Sequence, residues 1–314
     1  MKRIHVAAAV IRDESGKILI ARRADNQHQG GLWEFPGGKV EEGELVQVAL
    51  ARELHEELGI VVTTARPLIK IQHDYPDKQV LLDVWEVSAF TGDAQGLEGQ
   101  PLKWVSAREL ANYDFPEANK PIVAAARLPS EYMITPEGLE TPELLRGMQK
   151  AIAGGIKLVQ LRAPNGYDPQ YRDLAVDAVG LCAGKAQLML KGPLEWLGDF
   201  PAAGWHLTAK QLRKLAAAGR PFPTDRWLAA SCHDAEELSL AEQMGVDFVT
   251  LSPVQPTLTH PDAQPLGWEK ASQLIAGFSK PVFLLGGVGS DDRQRAWETG
   301  AQGVAGIRAF WPQA

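Results

Sequence analysis

Glu53, Glu56 and Glu57 stand at i, i+3 and i+4 in the run GKVEEGELVQVALARELHEELGI, which extends from Gly38 to Ile60. On a helix that spacing puts three carboxylates on one face. Carboxylates so crowded repel one another unless a cation sits among them. Hard oxygen ligands suit Mg2+ or Mn2+, completed by waters and substrate phosphate oxygens. Such an ion offsets phosphate charge and eases deprotonation of a bound water, so the chemistry is hydrolysis of a diphosphate linkage. Glutamates alone would equally describe a solvated helix face. Here they come in register with Gly38, Glu44, Arg52 and Gly59: Gly38, five residues, Glu44, seven residues, then Arg52-Glu53-Leu54-x-Glu56-Glu57-x-Gly59-Ile60.

The element that must carry these groups is a helix over residues 46 to 58, with Leu50, Ala51, Leu54 and Leu58 as its apolar stripe. Gly59 takes the place of a C-terminal glycine cap. Before the helix, Phe35-Pro36-Gly37-Gly38 is a stiff turn followed by two residues that tolerate close approach, so bare backbone can reach a metal or a phosphate. Lys39 follows as a counter-charge. At the N-terminus, Ile4 to Ile11 and Lys17 to Arg22 flank the turn Asp13-Glu14-Ser15-Gly16 and predict a hairpin. Further strands are expected at Pro67 to Asp74, Val80 to Ala89 and Leu102 to Val105, and helical turns at Arg108 to Ala111 and Lys120 to Arg127.

Pro129-Ser130 marks a boundary between domains 1–129 and 130–314. Beyond it, eight short apolar strands alternate with amphipathic stretches: Tyr132 to Ile134, Ile156 to Leu161, Gln187 to Leu190, Trp205 to Leu207, Trp227 to Ser231, Phe248 to Leu251, Val282 to Leu285 and Val304 to Gly306. That order predicts a small (β/α)8 barrel of the TIM type. The segment from Lys191 to Gly204 is short for a crossover, so that sector is expected to be degenerate.

A chain of 314 residues holds about two domains. Its 45% hydrophobic and 23% charged residues are those of soluble globular protein. A net charge of −7 leaves no overall basic footprint and argues against duplex nucleic acid as a partner. The two cysteines, Cys182 and Cys232, lie far apart and argue against a disulfide framework or a CxxC metal site. There is no apolar run long enough for a membrane helix and no recognisable signal peptide, so the expected location is the cytoplasm.

Residues 2 to about 128 resemble the MutT-type 8-oxo-dGTP diphosphatases, within the Nudix hydrolases. The spaced pattern described above is the Nudix box. Arg22-Arg23, Glu34-Phe35-Pro36-Gly37-Gly38, Glu98-Gly99-Gln100-Pro101 and Asp114-Phe115-Pro116-x-Ala118-Asn119 extend the match. The resemblance implies an α/β/α sandwich around a mixed sheet. It implies that Gly38, Glu53, Glu56, Glu57 and Glu98 surround the metal, Mg2+ or Mn2+, supported by Glu44 and Arg52. Arg23, Phe35, Lys78 and Asn119 would line a pocket for a nucleoside triphosphate, with Lys39 beside them. Phe35 could equally fill core. The implied reaction is attack of an activated water on a phosphorus, giving 8-oxo-dGMP and pyrophosphate, with a helix glutamate or Glu98 as general base.

Asn119 has a physical rationale of its own. Guanine offers N7 and O6 as two acceptors. Its 8-oxo form carries a proton on N7, so a donor stands beside an acceptor. An amide also offers one of each and pairs with the oxidised base while leaving guanine mismatched. The other reading of Asn119 is a helix N-cap, with Pro121 just inside the helix.

The second domain resembles the thiamine phosphate synthase and TenI superfamily. Tyr132-x-Ile134-Thr135, Val159-Gln160-Leu161-Arg162, Gly204-x-His206-Leu207, Ser231-Cys232-His233, Pro256-Thr257-x-Thr259 and Leu285-Gly286-Gly287-Val288 carry it. By this resemblance Gln160, Arg162, His206, His233, Gly286 and Gly287 form the barrel's candidate site, for a thiazole or phosphate ligand. The chain also departs from the pattern. Lys191-Gly192 replaces Asn-Asp, and Thr208-Ala209-Lys210-Gln211 replaces a second acidic stretch, so both carboxylates expected to hold Mg2+ are missing. His260 replaces a lysine and Arg308 a serine. These changes argue against synthase activity. They leave a thiazole tautomerase using His233, or a non-catalytic ligand-binding or regulatory module. The fusion also raises a second substrate for the first domain, a thiamine-pathway diphosphate such as the hydroxymethylpyrimidine compound.

Overall fold

The computed structural model describes residues 2–25, 29–74, 78–162, 169–257 and 262–312. The chain divides into two units, Met1–Arg127 and Leu128–Ala314. Among the described residues no helix is long and apolar enough to cross a membrane.

The first unit is organised around β1 (Lys2–Ile11). Ala7, Ala8, Ala9, Val10 and Ile11 are all buried, so this strand is covered on both faces. Side chains alternate across a strand. Ala7, Ala9 and Ile11 therefore share a core with Leu50, Leu54 and Leu58 of α1 (Val46–Leu58). Ala8 and Val10 share the other with Ile122, Ala125 and Ala126 of α2 (Lys120–Arg127). The result is an α/β/α sandwich. A strand buried on both faces is central and needs a neighbour on each edge. β1 pairs antiparallel with β4 (Gly37–Lys39) and parallel with β6 (Lys78–Thr91), which in turn pairs with β5 (Val61–Asp74).

The expected N-terminal hairpin is corrected by this arrangement. β2 (Ile18–Arg22) leaves β1 after a single bridge, Arg12 to Ile18, and joins a second sheet between β3 (Trp33–Glu34) and β7 (Leu102–Val105). β5 begins at Val61 rather than Pro67; register shifts at Val62/Thr64, Thr64/Ala65 and Pro67/Ile69 break the alternation that would have revealed it. The turn expected at Arg108 to Ala111 is a 3-10 turn, Glu109–Asn112. In α1, Ala49 is buried and Ala51 exposed, which corrects the apolar stripe by two positions at one place. Full burial of each of Leu50, Leu54 and Leu58 contributes about 1.5–3 kcal/mol to docking the helix.

The second unit is a closed barrel of eight parallel strands: β8 (Glu131–Ile134), β9 (Leu158–Leu161), β10 (Gln187–Leu190), β11 (Gly204–Leu207), β12 (Leu228–Cys232), β13 (Phe248–Leu251), β14 (Val282–Leu285) and β15 (Gly303–Gly306). Alternation again sorts the side chains. Tyr132, Leu158, Met189, Ala229, Phe248, Phe283 and Ala305 fill the interior, while Met133, Val159, Leu188, Leu190 and Leu207 face the surrounding helices. Between β10 and β11 the chain makes a 3-10 turn, Leu194–Trp196, in place of a crossover helix.

Candidate functional site

Gly59, with φ 71°, stops α1 one residue after the last glutamate pair has been presented. The helix lays its glutamates against the Gly37–Gly38 loop. Glu57 Oε2 accepts the Gly37 N–H at 3.2 Å. Burial pushes the Glu57 carboxyl up from 4.5 to about 7; the Gly37 N–H opposes the shift, and the charges of Glu98, Glu34 and Glu53 reinforce it. Gly38 is required for the same packing. A Cβ there would lie 2.2 Å from the Glu53 carboxylate.

Arg52 ties the cluster together. Its guanidinium donates to Glu44 Oε1 and Oε2 at 3.0 Å each, to Glu53 Oε1 at 2.8 Å, to Glu56 Oε2 at 3.3 Å and to the Lys39 carbonyl at 3.1 Å. Hydrogen bonding to Arg52 holds Glu44 below the usual carboxylate range. Glu98 arrives on a loop fastened to the end of α1: the N–H groups of Gln95 and Leu97 reach Leu58 and Glu57 carbonyls at 3.0 and 2.9 Å, and Gln100 Nε2 reaches Glu57 O at 3.1 Å.

These residues fit a divalent cation. The charges of Glu98, Glu34 and Glu53 add to the burial that raises Glu57, and the lack of a side chain at Gly38 leaves the space that Glu53 enters. Among the described residues no three acidic, histidine or cysteine side chains already surround a single point. Glu53 and Glu56 are turned onto Arg52, the neighbouring positive charge.

On the nucleotide side, Arg23 Nε donates to Glu34 Oε2 at 2.6 Å. The Trp33 N–H donates to the Asp114 carbonyl at 2.9 Å, and Phe35 stacks on Phe115 at 5.3 Å, so the loop bearing Asn119 is tied to the strand entering Gly37. Asn119 ends a 3-10 turn, Glu117–Asn119, that runs directly into α2. It is half-buried, and its amide makes no hydrogen bond among the described residues. The capping role is thus not realised. Lys39 is exposed. Lys78 opens β6, but its side chain lies outside the described residues.

The C-terminal ends of the barrel strands enclose a cavity of about 640 Å³ whose lining includes Gln160, Arg162, Lys191, Ser231, His233 and Gly286. Beneath it lies a buried polar chain. Tyr132 Oη donates toward Gln160 Oε1 at 3.2 Å and lies 3.0 Å from His206 Nδ1, while His206 Nε2 lies 3.0 Å from Ser231 Oγ. Burial, with the Lys191 charge, keeps His206 neutral well below its usual range. His233 is exposed just past β12; its ring and its N–H both meet Glu237 Oε2, at 2.8 and 2.7 Å. Cys232 faces the opposite way into the core, where burial pushes its thiol up. Gly287 takes φ 66°, and a Cβ there would lie 2.6 Å from the Pro256 carbonyl oxygen. Thr259 and His260 lie outside the described residues.

Comparison with known proteins matches both halves. The family described as NUDIX domain covers residues 7–125, and that described as thiamine monophosphate synthase covers residues 131–310. An 8-oxo-dGTP diphosphatase of Escherichia coli (strain K12) is 41% identical over 124 residues, 40% of this chain and 96% of that protein. A CTP pyrophosphohydrolase of the same strain is 42% identical over 125 residues, 40% of this chain and 92% of that protein. A putative thiamine-phosphate synthase 2 of Aquifex aeolicus (strain VF5) is 30% identical over 184 residues, 58% of this chain and 98% of that protein. The chain is a Nudix hydrolase joined to a barrel of the thiamine monophosphate synthase family.

Within the Nudix unit, one expected pocket residue is placed elsewhere. Phe35 is 4% exposed and belongs to the core with Ala8, Ile20 and Val84, because its stack on Phe115 closes that side of the sheet. Conversely, Glu34 was not singled out by spacing. It is 11 residues from Arg23, which lies just past β2, yet it shares the field of Glu57 and Glu98 and burial raises its carboxyl. Its place directly before Phe35-Pro36-Gly37 was the available signal. In the synthase-family barrel, Gln160, 3% exposed, lines the mouth together with Arg162, Lys191 and His233, while His206, 1% exposed, is not among the lining residues.

Proposed function

We propose that the Nudix unit hydrolyses 8-oxo-dGTP to 8-oxo-dGMP and pyrophosphate, removing an oxidised precursor before it is used in replication. The observation that carries the reading is the seating of Glu53 and Glu57 against Gly37–Gly38, with Glu57 pushed to about 7. When bound, a divalent cation such as Mg2+ or Mn2+ supplies neutralisation of the phosphate oxygens and makes water easier to deprotonate. A helix glutamate or Glu98 is the chain's proton acceptor; without the cation, burial holds the Glu57 carboxyl near neutrality, in the range where a general base works best. Arg52 keeps Glu44, Glu53 and Glu56 in place. Asn119 supplies a donor and an acceptor to the base, and Arg23, braced by Glu34, faces the nucleotide.

Two findings favour substrates other than the purine. The CTP pyrophosphohydrolase relative matches the Nudix unit as well as the diphosphatase does, and the thiamine-family barrel favours hydroxymethylpyrimidine diphosphate. Initial rates with Mg2+ on 8-oxo-dGTP, dGTP, CTP and hydroxymethylpyrimidine diphosphate separate the readings. A large kcat/KM preference for 8-oxo-dGTP with release of pyrophosphate is expected. Preference for either pyrimidine compound overturns the sanitising role and removes base reading from Asn119.

A further inference from the structure

The barrel's two departures from its family pattern are joined to each other. Gln211 Nε2 donates to the Gly192 carbonyl at 2.7 Å, and Gln211 Oε1 accepts the Thr208 N–H at 3.0 Å, closing a capping box on the helix Ala209–Leu215. The Tyr171 hydroxyl donates to the Lys191 carbonyl at 2.8 Å. The backbone of Lys191 and Gly192 is thus held at two points directly after β10, and the Lys191 side chain lies in the wall of the cavity. Neither departure offers a carboxylate, so this corner does not fit Mg2+.

Two charged groups act on the Lys191 amine. Arg162 and Glu137 are paired with each other at 2.9 Å, and both also face Lys191. Burial and then the Arg162 charge push the ammonium below its usual range, while Glu137 opposes them. Among the described residues the ammonium makes no hydrogen bond or ion pair. Of the other titratable groups lining the cavity, His233 is bonded to Glu237 at 2.8 Å and Asp262 is exposed. A lysine that gives up its proton readily, rooted on a fixed backbone and open to a cavity, is suited to attack a carbonyl carbon.

The same wall holds a hydroxyl that can move protons. The Tyr132 hydroxyl donates to Gln160 Oε1 at 3.2 Å, so its oxygen accepts the Nδ1 proton of His206 at 3.0 Å. That tautomer leaves His206 Nε2 to accept the Ser231 hydroxyl at 3.0 Å. Ser231 lines the cavity, and neutral His206 lies behind it. A His206 so reluctant to stay charged passes a proton back rather than keeping it.

We propose that the barrel binds a small aldehyde or ketone as an imine on Lys191, with Ser231 and His206 relaying the protons. The Nζ lone pair attacks the carbonyl carbon, and the C=O electron pair moves onto oxygen to give a carbinolamine. Both amine protons end on that oxygen, which leaves as water as the C=N bond forms. Nothing is oxidised or reduced.

The test treats the intact protein at neutral pH with glycolaldehyde and sodium cyanoborohydride, which reduces an imine to a stable secondary amine. Peptide mass spectrometry then maps the modified lysines. Lys191 is expected to label several-fold faster than the exposed Lys210 and Lys270, and to keep labelling at lower pH than they do. Its rate should saturate with glycolaldehyde, whereas theirs should rise in proportion. Labelling of Lys191 no faster than theirs, or a rate that never saturates, overturns the proposal. S231A should slow the labelling of Lys191 and leave Lys210 and Lys270 unchanged; an unchanged Lys191 rate in a folded S231A protein refutes the relay.

Discussion

At the scale of single residues, the Nudix glutamates differ in what surrounds them. Glu53 is seated against Gly38, so Glu53→Gln is expected to keep the fold and lower kcat on the order of 100-fold or more; near-normal turnover would remove Glu53 from the site. Glu57 is set apart by its neighbours. Its folded carboxyl titrates at about 7 and its unfolded one at 4.5, so the folded state binds the proton more tightly. The stability this contributes is fully present below 4.5 and is lost as pH rises through about 7. Metal-free wild type should therefore lose melting temperature relative to E57Q across that window, and a divalent cation should restore it. Parallel pH profiles for the two proteins would contradict the burial argument. Among the described residues the Asn119 amide has no partner, so Asn119→Ala should cost 8-oxo-dGTP about tenfold in kcat/KM relative to dGTP, as an unpaired buried polar group costs about 1–3 kcal/mol. An equal loss on both nucleotides would refute base reading.

At the scale of elements, two adjacent glycines do different work. Gly37 has φ 145°, and a Cβ there would lie 2.1 Å from the Ala7 carbonyl oxygen of β1. Ala at this position must push two paired strands apart, and the backbone strain alone costs about 1–3 kcal/mol. Gly38 has no left-handed backbone, and the three atoms nearest to a Cβ there would all belong to the end of the Glu53 side chain. Thermal melts and initial rates should separate them: G37A lowers melting temperature, whereas G38A leaves it near wild type and lowers kcat by displacing Glu53. A G38A protein with wild-type turnover would show that this contact does not position the carboxylate.

At the scale of the whole molecule, each unit is closed by its own core: Leu50, Leu54 and Ile122 in the first, Tyr132, Phe248 and Phe283 in the second. A chain ending at Arg127 is thus expected to fold and to hydrolyse nucleotide with the kcat/KM of the full protein. Loss of activity on truncation, with circular dichroism still native, would mean that the barrel contributes to the Nudix reaction.

The sequence by itself determined the helix of residues 46 to 58, its glycine stop, its shared glutamate face and the eight barrel strands. These follow from periods of 3.6 and 2, which are local properties of the backbone. Tertiary structure alone decided the rest. It placed β1 against β6 rather than β2, because a strand buried on both faces takes its neighbours from wherever the core closes. It sent Phe35 into the core and brought Glu34 to Arg23. It also left Lys191 facing an open cavity with its neighbouring carboxylate already taken by Arg162. Such pairings depend on which groups meet across long stretches of chain, and no local spacing encodes them.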